Sequence, residues 1–177
     1  MKIFTILFLW VLFLAQANAE TRIAILDFEL RDLTLAPGIP AELQRTASIK
    51  AMLEAELERA GYKIVAIDLD LQREANGGVG YLFDHHDSAA ELAKNAGADY
   101  VLVGRLHKPS FLFAYIMGHL VRVNDGQLIG NYISETKGGD KKLTLKGVES
   151  LAVKIDNDLD KIYSPPPPKH SYLHKSP

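Results

Sequence analysis

The amino-acid sequence predicts a small mixed-sheet domain of the α/β (α+β) class, in the order β-α-β-α-β-β-β-α. Three observations carry this. Short, nearly continuous apolar runs at Arg22 to Phe28 (RIAILDF), Tyr62 to Ile67 (YKIVAI) and Tyr100 to Leu106 (YVLVGRL) alternate with helical stripes, as expected of strands covered on both faces. Asn124-Asp125-Gly126 is a strong hairpin turn between two longer strand-like runs. The chain then closes on its cleanest helical stripe, Leu145, Val148, Leu151 or Ala152, Ile155, Leu159 and Ile162.

Each element has its own signal. After the first strand, Pro37, Gly38 and Pro40 make a loop, and Leu43, Ala47, Ile49, Leu53, Leu57 and Ala60 recur at helical spacing up to Gly61, a suitable residue just past a helix end. Strand, helix and strand in that order imply a right-handed parallel crossover. Leu69 to Asp87 carries Gly77, Gly78 and Gly80 among polar residues and reads as a long surface loop or a broken helix. Ser88 with Glu91 forms a capping box opening a short helix that ends at Gly97. Pro109 turns the third strand into Phe111 to Val123, a run long enough for Gly118 to be a candidate bulge, and Gln127 to Glu135 completes the hairpin. Lys137 to Asp140 is a turn into the last helix.

Residues 1–19 specify an address. Lys2 precedes an apolar run from Ile3 to Ala15, too short for an ordinary membrane span, and Ala17-Asn18-Ala19 supplies the small residues of a signal-peptidase site. The expectation is a periplasmic protein cleaved before Glu20, a single domain over residues 20–163, and a proline-rich, disordered tail over 164–177, where Pro165 to Pro168 remove four consecutive donors. Cleavage takes one of the 20 basic residues and none of the 22 acidic ones, leaving a small negative charge with both signs scattered. No basic stripe is offered to nucleic acid. With no cysteine, there is no disulfide framework, no thiolate site and no lipidated cysteine, so no stable membrane anchor is expected after cleavage.

Candidate chemistry is sparse. Asp84-His85-His86-Asp87 is the densest group of ligand types, and it supports a metal-binding or metal-dependent hydrolytic reading if His107 or His119 also contributes, because adjacent side chains diverge. The competing reading makes Asp87 or Ser88 a helix cap and the histidines ordinary loop residues. His107 to Ser110 reads as a polar turn, and His119 as a satisfied, half-buried residue among Phe113, Tyr115, Met117 and Val121. Asp68 and Asp70 are either a carboxylate pair or turn residues. Gly77 to Gly80 lacks the strand and the Lys-Ser/Thr of a phosphate loop, and no Gly-x-Ser-x-Gly elbow occurs. No enzyme, cofactor, metal or nucleotide is therefore expected. Tyr81, Leu82, Phe83, His85, His86 and His107 are the candidate partner-binding residues, the first three as anchors in a glycine-flexible loop; the competing account is that Leu82 and Phe83 plug that loop onto the core.

RIAILDF, the helix end LEAELERAGYKIV, AGADYVLVGRL and the hairpin HLVRVNDGQLIGNY together resemble the amino-terminal domain of TolB and the periplasmic part of CsgG-type proteins, over Thr21 to Ile162. YLFDHHDSAAELA and VGRLHKPSFLF are similar to a family of uncharacterised secreted proteobacterial proteins. The resemblance implies the fold of the TolB amino-terminal (anticodon-binding-like) domain. It also implies a non-catalytic interaction or accessory role beside another periplasmic or envelope protein. The chain has no room for TolB's β-propeller, and it lacks the cysteine and barrel strands of CsgG-type pores.

Overall fold

The computed structural model describes residues 20–163, so the expected signal peptide (1–19) and proline-rich tail (164–177) lie outside the described residues. Six strands form one mixed sheet: β1 (Arg22–Ile25), β2 (Glu29–Asp32), β3 (Lys63–Val65), β4 (Tyr100–Lys108), β5 (Phe113–Arg122) and β6 (Leu128–Lys137). Five helices accompany them: α1 (Pro40–Arg59), α2 (Leu69–Ala75), α3 (Tyr81–Asp84), α4 (His86–Asn95) and α5 (Lys141–Tyr163). The order across the sheet is β3-β1-β4-β5-β6, with β2 also paired to β4. Strands β1 and β3, β1 and β4, and β2 and β4 are parallel, whereas β4-β5-β6 is an antiparallel meander. The mixed α/β class expected from sequence is the class observed.

RIAILDF is not one strand. It breaks after Ile25 and resumes as β2, so β1 lies beside Tyr100–Leu102 and β2 beside Arg105–Lys108 of the same β4. The break brings Phe28 over Gly104, where an added Cβ would stand 2.2 Å from the ring. Only glycine lets the two approach so closely. The irregularity expected at Gly118 lies elsewhere, because Gly118 pairs regularly with Gly104 and Tyr132 and the register shifts between Leu120 and Val121.

Alternation along the strands sends side chains to two cores. On one face Ile23, Ile25, Leu102, Ile116 and Leu120 meet Ile49, Leu53 and Leu57 of α1 and Val148, Leu151, Ile155 and Leu159 of α5. Both long helices therefore share a face. On the other, Ala24, Leu26, Val101, Val103 and Val121 meet Leu82 and Phe83 of α3 and Ala89, Ala90 and Ala93 of α4.

The stripe of α1 differs from expectation at both ends: Leu43, Ala47 and Ala60 are exposed, and Glu42, Arg45 and Thr46 are buried instead. The reason is a sealed polar network. Lys108 Nζ donates to Glu42 at 2.9 Å, and Arg45 donates to Glu42, Thr144 and Thr136 at 3.3, 2.9 and 3.0 Å, so every ionic group there is paired. Two other caps also differ. Helix α4 begins at His86, with Ser88 already inside its first turn and no side-chain cap. Asp68 is a helix cap, accepting from the backbone of Asp70 and Leu71 at the start of α2.

Candidate interaction surface

Residues 69–87, expected as a surface loop or broken helix, fold down onto the sheet. Glu29 of β2 accepts hydrogen bonds from Asn76 Nδ2 (3.0 Å) and Gly80 N (2.9 Å), drawing the glycine segment inward. Gly80 has φ +86°, and a Cβ there would stand 2.6 Å from Arg105 Nη2, so this bend is built for glycine. The Arg105 guanidinium in turn lies 4.1 Å from the Phe83 ring centroid. As a result Leu82 and Phe83 are only 2% and 4% exposed. The exposed-anchor reading of Leu82 and Phe83 is corrected in favour of the core plug: both are core residues, because a four-residue helix turns them onto Val101 and Val103 while Tyr81 faces outward.

The histidines separate. His85 stacks on Tyr81, ring centroids 4.0 Å apart, and its Nδ1 donates to the Tyr81 carbonyl at 2.9 Å. His86 instead meets His119 of β5, Nε2 to Nδ1 at 2.9 Å, while the same His119 Nδ1 lies 3.1 Å from the Phe83 carbonyl. A carbonyl can only accept, so His119 carries its proton on Nδ1 and shares it with the carbonyl and with a bare His86 Nε2. Burial, helped by the neighbouring His86 and Arg105, pushes His119 below the ordinary imidazole range. His107 sits apart on β4, between Arg31 of β2 and Tyr115 of β5, and burial with the nearby Arg31 and Arg105 charges also lowers it. Among the described residues no group of three or more His, Asp or Glu side chains is placed to hold a metal ion.

Beyond Arg105 and His119 the helices stop covering this face. The outward side chains of β4, β5 and β6 there are His107, Phe113, Tyr115, Met117, Ile133, Glu135 and Lys137; Phe113 and Ile133 are exposed, and His107, Tyr115 and Met117 half-buried. Strand β6 is also the end of the sheet, with Lys154 Nζ donating to the Ile133 carbonyl at 2.6 Å. The uncovered face thus continues to the outer edge of β6, where Lys154 takes one carbonyl, with apolar, aromatic and charged groups side by side. Of the residues expected to bind a partner, His107 lies on this surface. In the sequence its neighbours Phe113, Tyr115 and Met117 show only as one face of a strand, and Ile133 carries no separate signal.

At the far end of the sheet, Arg22 and Asp99 form a bidentate pair beside Arg122 in a groove of about 430 Å³. That pairing holds Asp99 below the usual carboxylate range. No helix among the described residues is long and apolar enough to cross a membrane.

A family model covers residues 21–155. The chain belongs to the family described as "Protein of unknown function (DUF2380)". None of the curated proteins matches this member of the family. Solved structures similar to it include the lipoprotein GNA1162 from Neisseria meningitidis, with 17% identity over 78% of this chain and 99% of that one and a TM-score of 0.49. The PelC dodecamer from Paraburkholderia phytofirmans has 14% identity over 78% and 87% of the two chains and a TM-score of 0.49. TolB from Acinetobacter baumannii has 13% identity over 82% of this chain but 28% of its own, with a TM-score of 0.44. TolB, part of the expected resemblance, is thus among the similar structures; a CsgG-type relation is not shown.

Proposed function

We propose that the chain is an exported, non-catalytic accessory domain that binds another periplasmic or envelope protein through the uncovered part of its second sheet face and the adjoining β6 edge. The observation that carries this reading is the placement of Phe113, Tyr115 and Ile133 together on regular strands, exposed or half-buried and outside both core clusters of the described residues, with Met117 at the margin of the second core. Strand-borne side chains are held in place before binding, which lowers the ordering cost of association. A partner strand could extend the sheet at β6 while its alternate side chains pack on this face. The amino-terminal charge, apolar run and Ala-Asn-Ala end support the periplasmic address.

The rival metal reading has one specific observation in its favour, the 2.9 Å contact between His86 and His119. Against it, that contact is already satisfied by a shared proton, and His85 and His107 point to other partners. One preparation tests both readings. Envelope proteins captured by the wild-type chain should be lost with an Ile133→Asp, Tyr115→Ala variant whose melting temperature matches the parent. An unchanged capture profile would remove this face from the function, and one retained zinc per chain after dialysis, absent from His86→Ala, would favour the metal reading.

A further inference from the structure

The end of the sheet where β2, β4 and β6 finish carries a second surface, which meets the open face at Lys137. Leu33 N donates to the Lys108 carbonyl at 2.9 Å and Gly138 N to the Leu112 carbonyl at 3.0 Å, so the loop after β2, the β4–β5 turn and the entry to α5 lie side by side. Their tips are apolar and stand clear of the protein: Leu35 is 96% and Leu112 71% exposed, and Leu33 and Phe111 are more than half exposed. None of the four belongs to either core cluster, and Phe111 meets the Lys108 ammonium at 5.7 Å from its ring centroid. Large apolar groups are seldom concentrated on adjoining tips without a use.

Among the exposed charges around these tips, cations outnumber acids. Lys141 and Lys142, at the start of α5, are exposed and make no ion pair among the described residues, and Lys137 is exposed beside Phe113, with a loose pair to Glu135 at 3.9 Å. Of the nearby acids, Glu42 is buried and Asp32 half-buried, whereas Asp140 and Glu135 are exposed, the latter beside Lys137. Asp32 accepts from Thr34 N and Gly38 N, Asp140 accepts from Lys142 N, and Glu42 is buried between Lys108 and Arg45.

We propose that this end of the domain docks reversibly on an anionic phospholipid surface, with Leu33, Leu35, Phe111 and Leu112 entering the acyl boundary and Lys137, Lys141 and Lys142 facing the headgroups. Protruding apolar tips framed by cations suit a surface that can deform around them. A protein partner would need matching pockets for tips that present no concave counterpart.

Vesicle flotation of the purified protein tests the proposal, with residues 1–19 or their absence common to all samples. Binding to vesicles containing an anionic phospholipid should fall by about tenfold in Leu35→Ser, Leu112→Ser. It should weaken in Lys141→Gln, Lys142→Gln and at raised salt, and be poor on purely zwitterionic vesicles. Both positions are exposed, so the variants fold; a Leu35→Trp variant should in addition shift its emission to the blue when vesicles are added. Unchanged flotation of the loop variant, failure of the wild-type protein to float, or loss of a captured protein instead of vesicle binding would each overturn the proposal.

Discussion

The two faces of the sheet are packed by different means. One is roofed by two long helices, α1 and α5, whose Leu53, Leu57, Leu151, Ile155 and Leu159 are fully buried, and its polar end is closed by the Glu42, Arg45 and Lys108 network. The other is roofed by α3 and α4, helices of 4 and 10 residues, which stop at His119 and leave the ends of β4, β5 and β6 open. Since each fully buried Leu or Ile contributes about 1.5–3 kcal/mol, the long-helix face holds most of the stability. The short-helix face can then stay incomplete. Open strand surface is what remains where a sheet outruns its helices.

Breaking the first face should have the largest effect. Leu53→Asp or Ile155→Asp places a carboxylate where exposure is nil, and each should cost more than about 4 kcal/mol. Glu42→Ala should cost about 3–5 kcal/mol although it deletes no apolar contact, because Arg45 and Lys108 would remain buried without their carboxylate. Denaturant melts measure both. A Glu42→Ala protein as stable as the parent would mean that water reaches the network and that this face is less sealed than the other.

The next effect separates the covered from the open part of the second face. Phe83→Ala should destabilise by about 3–5 kcal/mol, since the ring fills the space between Arg105 and His119. Tyr81→Ala, two residues earlier on the same short helix, loses only the stack on His85 and should cost under about 1 kcal/mol. Thermal melts of the two single variants are sufficient. Equal losses would show that Tyr81 also supports the fold, and equal retention would show that α3 does not seal this face.

How far these differences were legible depended on periodicity. The stripe of α5 and the apolar runs of β4 and β5 extend over many residues and were readable, although the expected ends of the stripe, Leu145 and Ile162, are exposed and only Val148 to Leu159 face the core. Helix α1 was readable only in its second half, because Glu42, Arg45 and Thr46 occupy inward positions with residue types that ordinarily mark a solvated face. Strand β2, ELRD, looks polar since Glu29 and Arg31 face the side where Arg105 waits, a pairing across 76 positions that no local pattern announces. Helix α3 is a single turn, too short for its period to show which of Tyr81, Leu82 and Phe83 faces inward. The open face was visible in part: His107 and the alternation of Phe113, Tyr115 and Met117 were legible, but that no helix lies over them is a tertiary fact. The partnership of His86 with His119 is tertiary as well.

That histidine pair gives the smallest effect and marks where the covered part of the second face ends. His119 has a lower affinity for protons folded than unfolded, where an imidazole titrates near about 6.5. As pH falls through that range the unfolded chain takes up a proton that the folded chain refuses, so this residue's share of stability is present above about pH 6.5 and declines below it until the folded value is passed. A second proton on the contact would also set N–H against N–H between His86 and His119 and loosen α4 from β5. Urea melts across this range should therefore show a loss of stability toward acid that flattens in His119→Gln. His107 is lowered too, but it lies on the open part of the face and supports no helix, so His107→Gln should flatten the profile less. If the two variants changed the slope equally, the boundary between the closed and open parts of this face would not lie at His119.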